Sequence, residues 1–355
     1  MSKARTPLQR VLRGLTALAA LSLAGCNAIV LNAPGDIARQ QGNLIILATV
    51  LMLLIIVPVI ALSLFFAWRY RASNTEATYK PDWDHSTQLE LVIWAAPLLI
   101  IIALGAVTWI STHTLDPYRP VSRVAPGKPI PPGTQPFVVE VVALDWKWLF
   151  LYPEQGIATV NELVAPQGRP IEFRITASNV MNAFYVPSLA GMIYAMPGME
   201  TKLNAVIDQT GQYQGFSSHF SGAGFSQMRF GFRATDAAGF AQWVSEVKAQ
   251  GTTLGRQEYL ELAKPSQAVP VQRYASVASG LYDAILNQCA DPNHMCMNEM
   301  MAIDARRLPG QRAVVLRTNP ADGRAFVPSP MCEINPPSLV AVAPAPSTVT
   351  RVNAP

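Results

Sequence analysis

Two long apolar runs constrain the fold of this chain more than any other feature. Residues 44–67 contain one threonine, one serine and no charge, and residues 91–110 are similarly apolar. Each run is long enough for a helix to cross a hydrocarbon core of about 30 Å. Each contains one proline, which a membrane helix tolerates when neighbours satisfy the freed carbonyl. Only 14% of the residues are charged, against roughly 25% in soluble domains, so we predict two transmembrane helices.

The first 26 residues have the pattern of an export signal. Four basic residues and no acidic ones precede an eleven-residue apolar core, Gly14 to Ala24, which is too short to span a bilayer. The core ends in Leu-Ala-Gly-Cys26, which resembles the lipoprotein box of bacterial exported proteins. This resemblance implies that Cys26 is acylated and becomes the first residue of the mature chain. The alternative is an ordinary signal peptide with a chance cysteine.

An exported N-terminus fixes the topology of the two spans. The hairpin between them then lies in the cytoplasm, and everything after residue 110 lies outside the cell membrane. Arg69, Arg71 and Lys80 in the connection agree with this, although basic residues after the second span weaken the bias. Because two helices cannot form a channel, we expect the hairpin to pack on a larger membrane subunit. A simple two-span anchor is the alternative.

The outer part has the pattern of a β domain followed by helices. Residues 117–136 contain seven prolines and predict a semi-rigid linker. Short β-branched or alternating runs follow at 137–143, 146–152 and 171–176, which favour a β-sandwich or Greek-key barrel. In the last run Ile171, Phe173 and Ile175 share one face. Helices are predicted at residues 237–249, 257–263 and 276–288.

We therefore predict a membrane α-hairpin joined to an all-β domain with a helical C-terminal extension. The predicted boundaries are a signal peptide at 1–25, the lipid anchor and hairpin at 26–112, a linker at 113–136, the β domain at 137–235, the helical extension at 236–334 and a disordered tail at 335–355. The net charge of +4 gives no reason to expect a nucleic-acid partner. Four cysteines are too few for a disulfide-dense scaffold.

Four separated motifs give the chain a family resemblance. They are His85 to Glu90 with Trp94 and Pro97, Asp145-Trp-Lys-Trp148, Asn179 to Pro187 with Met196-Pro-Gly198, and Gly215 to Met228. In this order they resemble subunit II of the haem–copper oxidases over roughly residues 26–290. The resemblance implies a two-helix hairpin and a cupredoxin-like Greek-key domain.

The chain departs from that family at the copper-binding positions. Members that accept electrons from cytochrome c hold a dinuclear copper centre, with bridging thiolates that suit the metal. The matching positions carry other residues in this sequence: Asn182, Ser217, His219, Ser221 and Phe225, while Met228 alone is retained. The resemblance therefore implies that these positions are not metal ligands. A weak mononuclear copper site at His219, Met228 and Asn182 is the less favoured alternative.

The missing ligands, Cys26 and the stretch 145–162 resemble one branch of the family, the cytochrome bo type ubiquinol oxidases. The branch implies a proton-translocating complex that oxidises ubiquinol and reduces dioxygen to water. Haems, copper and the quinol site would then belong to subunit I, and this chain would be a scaffold with no cofactor of its own. The alternative function is a membrane-tethered cupredoxin-like protein that binds ligands or handles copper.

Glu90 has two interpretations. Thr87-x-x-Glu90 is a capping-box pattern, and an acidic residue in a first helical turn is stabilised by the helix dipole. The resemblance implies instead that Glu90 lies at the mouth of a proton pathway into subunit I. Both interpretations can hold together.

A small sulfur-rich segment lies near the end of the predicted extension. Cys289 and Cys296 flank His294 and Met295, and more methionines follow. A disulfide between the two cysteines, free thiols, and a Cu(I) site are the three alternatives, in that order. Cys332 would remain, or would pair with one of these two.

Overall fold

The computed structural model describes residues 29–78, 80, 82–307, 317–318 and 325–326. The predicted signal peptide, the predicted lipidation site Cys26, the fourth cysteine Cys332 and the predicted tail at 335–355 all lie outside the described residues.

The two apolar runs lie in two long helices. Helix α1 spans Asp36–Arg69 and helix α2 spans Thr87–Thr114, and both are long and apolar enough to cross a membrane. Pro58 and Pro97 lie inside them. Most of their apolar side chains are exposed, including Leu54 and Leu99. Such helices are stable only in lipid or against another membrane protein.

The outer part forms two packed sheets and a separate two-stranded hairpin. Its strands are β1 (Arg123–Ala125), β2 (Lys128–Pro129), β3 (Phe137–Leu144), β4 (Lys147–Tyr152), β5 (Ile157–Val160), β6 (Glu162–Pro166), β7 (Ile171–Ala177), β8 (Asn182–Tyr185), β9 (Ile193–Ala195), β10 (Thr201–Ala205), β11 (Gly211–Ser217), β12 (Arg229–Thr235), β13 (Thr252–Leu254) and β14 (Gln272–Val277). One sheet has seven strands in the order β10-β7-β3-β4-β5-β14-β13. The other has five in the order β6-β12-β11-β8-β9.

Aromatic side chains fill the core between the two sheets. Trp148 and Phe150 on β4 contact Phe184 on β8 and Phe230 on β12, with ring centroids 5.0–6.5 Å apart. These four rings are almost completely buried. Strand β7 confirms the predicted alternation, since Ile171, Phe173 and Ile175 are fully buried while the residues between them are partly exposed.

The extension contains helices, as predicted, and also completes the larger sheet. Its helices are α3 (Ala237–Gln250), α4 (Arg256–Ala263), α5 (Leu281–Leu286) and α6 (Met297–Arg307), and strands β13 and β14 belong to the same part of the chain. Strand β14 pairs with β5 along its first half and with β13 at Ser276 and Val277, and these ladders satisfy its backbone groups. Ser276 and Val277 therefore end a strand, and the helix predicted from 276 begins only at Leu281. Gly280, with a φ of +70°, makes the turn between them.

Side chains also fasten the extension to the β domain. Arg273 on β14 makes two 2.8 Å hydrogen bonds to the carboxylate of Glu162. The buried ammonium of Lys147 donates to the carbonyl of Lys264 at 2.8 Å and to the hydroxyl of Ser266 at 2.6 Å. Burial lowers the pKa of Lys147. The first part of the extension, up to strand β14, is therefore an integral part of the fold.

The proline-rich linker is not wholly irregular. Strands β1 and β2 form a short antiparallel hairpin within it. Arg123 on β1 makes a 2.9 Å ion pair with Asp36, the first residue of α1. This contact is a physical reason for structure in a segment that composition alone predicts to be a spacer.

Candidate functional site

The first turn of α1 is joined to the β domain by a buried polar cluster. The carboxylate of Asp36 is almost fully buried and accepts from Arg123 at 2.9 Å and from Gln40 at 2.7 Å. One turn later, Arg39 pairs with Asp208 at 2.9 Å. The backbone N–H of Gly35 donates to the carbonyl of Ser188 at 2.9 Å. These contacts fix helix α1 to the β domain and were not predicted from the sequence.

The loops that match the family's copper region lie together at one end of the five-stranded sheet. Asn182 begins β8, and Ser217 ends β11. Both are buried, and the hydroxyl of Ser217 donates to the amide oxygen of Asn182 at 3.0 Å. The amide nitrogen of Asn182 donates to the carbonyl of Val180 at 3.1 Å. The hydrogen-bond partners of these two side chains are therefore each other and the backbone.

Three further residues at the copper-region positions, His219, Phe225 and Met228, contact aromatic or other apolar side chains. His219 is partly exposed and meets the ring of Tyr194 edge-on, with centroids 5.9 Å apart. Phe225 packs against Phe220 at 5.6 Å. Met228 is fully buried in the aromatic core. A phenyl ring cannot bind a metal, and an amide with a hydroxyl cannot replace a histidine and a thiolate, so these residues do not fit a dinuclear copper centre.

Trp146 holds this loop region in place. Its indole N–H donates to the carbonyl of Ser221 at 3.0 Å. A Cβ on Gly224 would lie 2.5 Å from the indole ring. The loop backbone at Gly224 therefore approaches Trp146 so closely that only glycine fits there. Trp146 therefore packs directly against the loop that carries Ser221 and Gly224. Trp148, two residues further on, is fully buried in the core.

Glu90 does not form the predicted capping box. Helix α2 begins at Thr87, so the N-cap is Ser86, which makes no side-chain cap hydrogen bond. The Glu90 carboxylate instead pairs with Nδ1 of His85 at 2.7 Å, and Nε2 of His85 lies 3.1 Å from the Thr87 hydroxyl. Both Glu90 and His85 are well exposed, at 45% and 61% of the side chain. The histidine was part of the recognised motif, but its contact with Glu90 was not predicted.

The sulfur-rich segment forms a closed loop. The Sγ atoms of Cys289 and Cys296 are bonded, and their Cα atoms lie 4.8 Å apart. The next residue, Met297, packs on the turn at Gly198. Among the described residues no group of three or more His, Cys, Asp or Glu side chains is placed to hold a metal ion.

Comparison with known proteins agrees with this architecture. Residues 139–235 match the family model "Cytochrome C oxidase subunit II, periplasmic domain", and residues 248–293 match "COX Aromatic Rich Motif". The cytochrome bo(3) ubiquinol oxidase subunit 2 of Pseudomonas putida is 48% identical over 81% of this chain and 88% of its own length. The chain belongs to the subunit 2 family of ubiquinol oxidases.

More distant relatives belong to the same family. The ubiquinol oxidase subunit 2 of Acetobacter aceti is 46% identical over 79% of this chain and 88% of its own length. The quinol oxidase subunit 2 of Bacillus anthracis is 38% identical over 69% of this chain and 82% of its own length. The predicted family and cupredoxin-like fold are thus confirmed. The sequence analysis did not identify residues 248–293 as one motif. It predicted only helices there and did not predict strands β13 and β14, which join this segment to the larger sheet.

Proposed function

We propose that this chain is the non-redox subunit II of a proton-translocating oxidase that couples ubiquinol oxidation to the reduction of dioxygen to water. Family membership supports the oxidase over a tethered copper-handling protein. The single observation that carries the non-redox role is the Ser217–Asn182 hydrogen bond. These two residues stand at positions where the copper-binding members have ligands, and here the two side chains bond to each other. Haems, copper and the quinol site then belong to subunit I.

The proposed place of the chain is the inner membrane, with the β domain on the periplasmic side. An acyl group on Cys26 would sit on the outer face, close in sequence to the start of α1. The Asp36 cluster supports this arrangement, because it joins the same end of α1 to the outer domain. Exposed apolar side chains on both helices provide the surface that subunit I would cover.

The copper-free assignment has a direct spectroscopic test. The complex, purified through a tag on this chain, is examined for the mixed-valence absorption and electron-paramagnetic signals of a two-copper centre. We expect neither signal, and we expect the copper content to match subunit I alone. A two-copper signal that survives removal of the haem–copper subunit would overturn the assignment.

Within this complex we propose that Glu90 collects protons for a pathway in subunit I. Its carboxylate lies at the hairpin end of α2, is about half exposed, and is paired with His85. Two neighbouring groups that both exchange protons with water form a suitable relay at a membrane surface.

The test of this role is a Glu90→Gln variant, which keeps the shape of the side chain but cannot carry a proton. We expect slower oxygen reduction and slower proton uptake, with normal haem content. Asp84→Asn is the matched control, since Asp84 is an exposed carboxylate in the same connection. Normal turnover in Glu90→Gln, or equal losses in both variants, would refute the proton role.

Coupling to proton movement is tested in vesicles that contain the purified complex in one orientation. With a ubiquinol analogue as donor, we expect the side that holds the β domain to acidify during oxygen reduction. Oxygen reduction without acidification beyond that released by quinol oxidation would contradict pumping by the complex.

A further inference from the structure

A row of three side chains crosses the outer face of the five-stranded sheet beside the copper-region loops. Phe216 on β11 is paired in register with Tyr185 on β8 and with Arg229 on β12. The rings of Tyr185 and Phe216 lie 5.3 Å apart, measured between centroids. The adjacent residues Phe184 and Phe230 are buried in the core, and side chains alternate along a strand, so this row faces outward.

A pocket of about 260 Å³ opens where this row meets the loop after β11. Ser217 and Phe225, which stand at positions where copper-binding members of the family have ligands, form part of its wall. Ligand pockets commonly measure roughly 300–1,000 Å³, so this one admits only a small molecule. We call it the Arg229 pocket, and its lining residues are Phe216, Ser217, Ser218, Phe225, Ser226 and Arg229.

The polar side chains of the Arg229 pocket can all donate hydrogen bonds. They are one guanidinium and three serine hydroxyls, and no acidic residue is among the described residues that line the pocket. The sequence contains no aspartate or glutamate from residue 209 to residue 235. The Ser218 hydroxyl donates to the sulfur of Met192 at 3.1 Å, which is a weak acceptor. The pocket therefore suits an anion.

The Arg229 side chain is held in place but has no carboxylate partner among the described residues. Its Nε donates to the carbonyl of Ser226 at 3.3 Å, and its guanidinium carbon lies 5.5 Å from the ring centroid of Phe216. By contrast, Arg169 and Arg174 each pair with a glutamate at 2.7–2.8 Å. The two terminal nitrogens of Arg229 thus form a planar pair of donors, and this geometry binds a carboxylate through two parallel hydrogen bonds.

Two phenyl rings determine what the carboxylate should be attached to. The rings of Phe216 and Phe225 form apolar walls, and Phe225 packs against Phe220 with centroids 5.6 Å apart. A hydrated inorganic anion would gain nothing from these walls, whereas a flat apolar body would cover them and bury apolar surface. We propose that the Arg229 pocket binds a small organic carboxylate with a flat apolar body, such as an aromatic acid.

The approach to the pocket is open along β12. Gly231 is the next residue of β12 on the same face, and a Cβ there would have no atom of the rest of the chain within 4 Å. Glu162 on β6 is in register with Gly231, but its carboxylate accepts two 2.8 Å hydrogen bonds from Arg273. Because this charge is already balanced, it does not compete with a ligand for Arg229.

Binding of benzoate to the purified complex tests the proposal. Saturation-transfer NMR follows the titration, with the complex in lipid nanodiscs. Benzamide is the matched control ligand, because it keeps the shape of benzoate but carries no charge. We expect saturable binding of benzoate, and binding of benzamide that is weaker by about tenfold or more, since hydrogen bonds between charged groups are the stronger ones. No saturable binding of benzoate, or equal binding of both ligands, would overturn the proposal.

Two arginine variants locate the site. Arg229→Gln should weaken benzoate binding by about tenfold or more. Arg233→Gln is the matched control, since it removes the same charge from the same strand but lies outside the lining of the pocket, and it should bind benzoate normally. Full affinity in Arg229→Gln, or equal losses in both variants, would refute the assignment.

Ser226→Ala distinguishes a lost contact from a folding defect in Arg229→Gln. It keeps the backbone carbonyl that holds Arg229 and removes one hydroxyl donor, so benzoate binding should weaken by about fivefold. The melting temperature of the complex shows whether each variant is folded. A folded Ser226→Ala complex with unchanged affinity for benzoate would contradict binding in this pocket.

Discussion

The buried carboxylate of Asp36 should be a main support of the junction between membrane helix and outer domain. Asp36→Ala removes two hydrogen bonds to one carboxylate oxygen, from Arg123 and from Gln40. Hydrogen bonds to charged groups contribute roughly 1.5–3 kcal/mol each. Arg123 is 40% exposed and can regain water, and loss of the buried charge removes its own desolvation cost. The expected net loss is about 2 kcal/mol.

For a folding unit of 150–250 residues, such a loss lowers the melting temperature by about 4–8 °C. The assay is thermal unfolding of the purified complex, followed by tryptophan fluorescence. Asp36→Asn keeps an acceptor for Arg123 and should lose less than Asp36→Ala. Asp116→Asn is the control, since Asp116 is exposed and its side chain bonds only within its own turn. A melting temperature of Asp36→Ala equal to that of the unaltered protein would refute this account of the junction.

Two further perturbations test the copper-region loop and the disulfide loop. Gly224→Ala should cost about 1–3 kcal/mol, because the new Cβ would overlap Trp146, whereas Gly231→Ala has open space around it and should be neutral in the same thermal assay. Replacing both Cys289 and Cys296 by serine should destabilise the loop between them by about 2 kcal/mol, as expected for closing a seven-residue separation. Local hydrogen exchange measures this loss, and unchanged protection of the loop would contradict it.

The residue pattern within a single segment predicts those helices and strands whose formation does not depend on distant parts of the chain. The apolar runs at 44–67 and 91–110 lie inside helices α1 and α2 because length and hydropathy alone decide a membrane span. The alternation of Ile171, Phe173 and Ile175 identifies β7 because a sheet with one dry face requires it.

The parts that could not be predicted depend on contacts between distant segments. The run from Ser276 reads as helical in isolation, but its first residues pair with β13 and so belong to a strand. The ion pair of the buried Asp36 with Arg123 joins residues that are 87 positions apart. No pattern within either segment indicates its partner.

The candidate site likewise has features that the sequence predicts and features that it does not. The prediction that Ser217 and Phe225 are not copper ligands follows from residue chemistry once the family motif is recognised. The pairing of Glu90 with His85 was not predicted because the helix begins at Thr87, one residue earlier than the capping-box pattern requires. Helix ends are set by competing local contacts, and a pattern alone places them only to within one or two residues.

The most direct test of the central claim is oxygen uptake by the complex purified through a tag on this chain. One chamber receives a ubiquinol analogue and the other receives reduced cytochrome c. A copper-free subunit II predicts uptake with the quinol alone, with haem present only in a co-purified subunit. Uptake with cytochrome c would contradict the account, because it would require an outer electron-accepting centre that these residues do not fit.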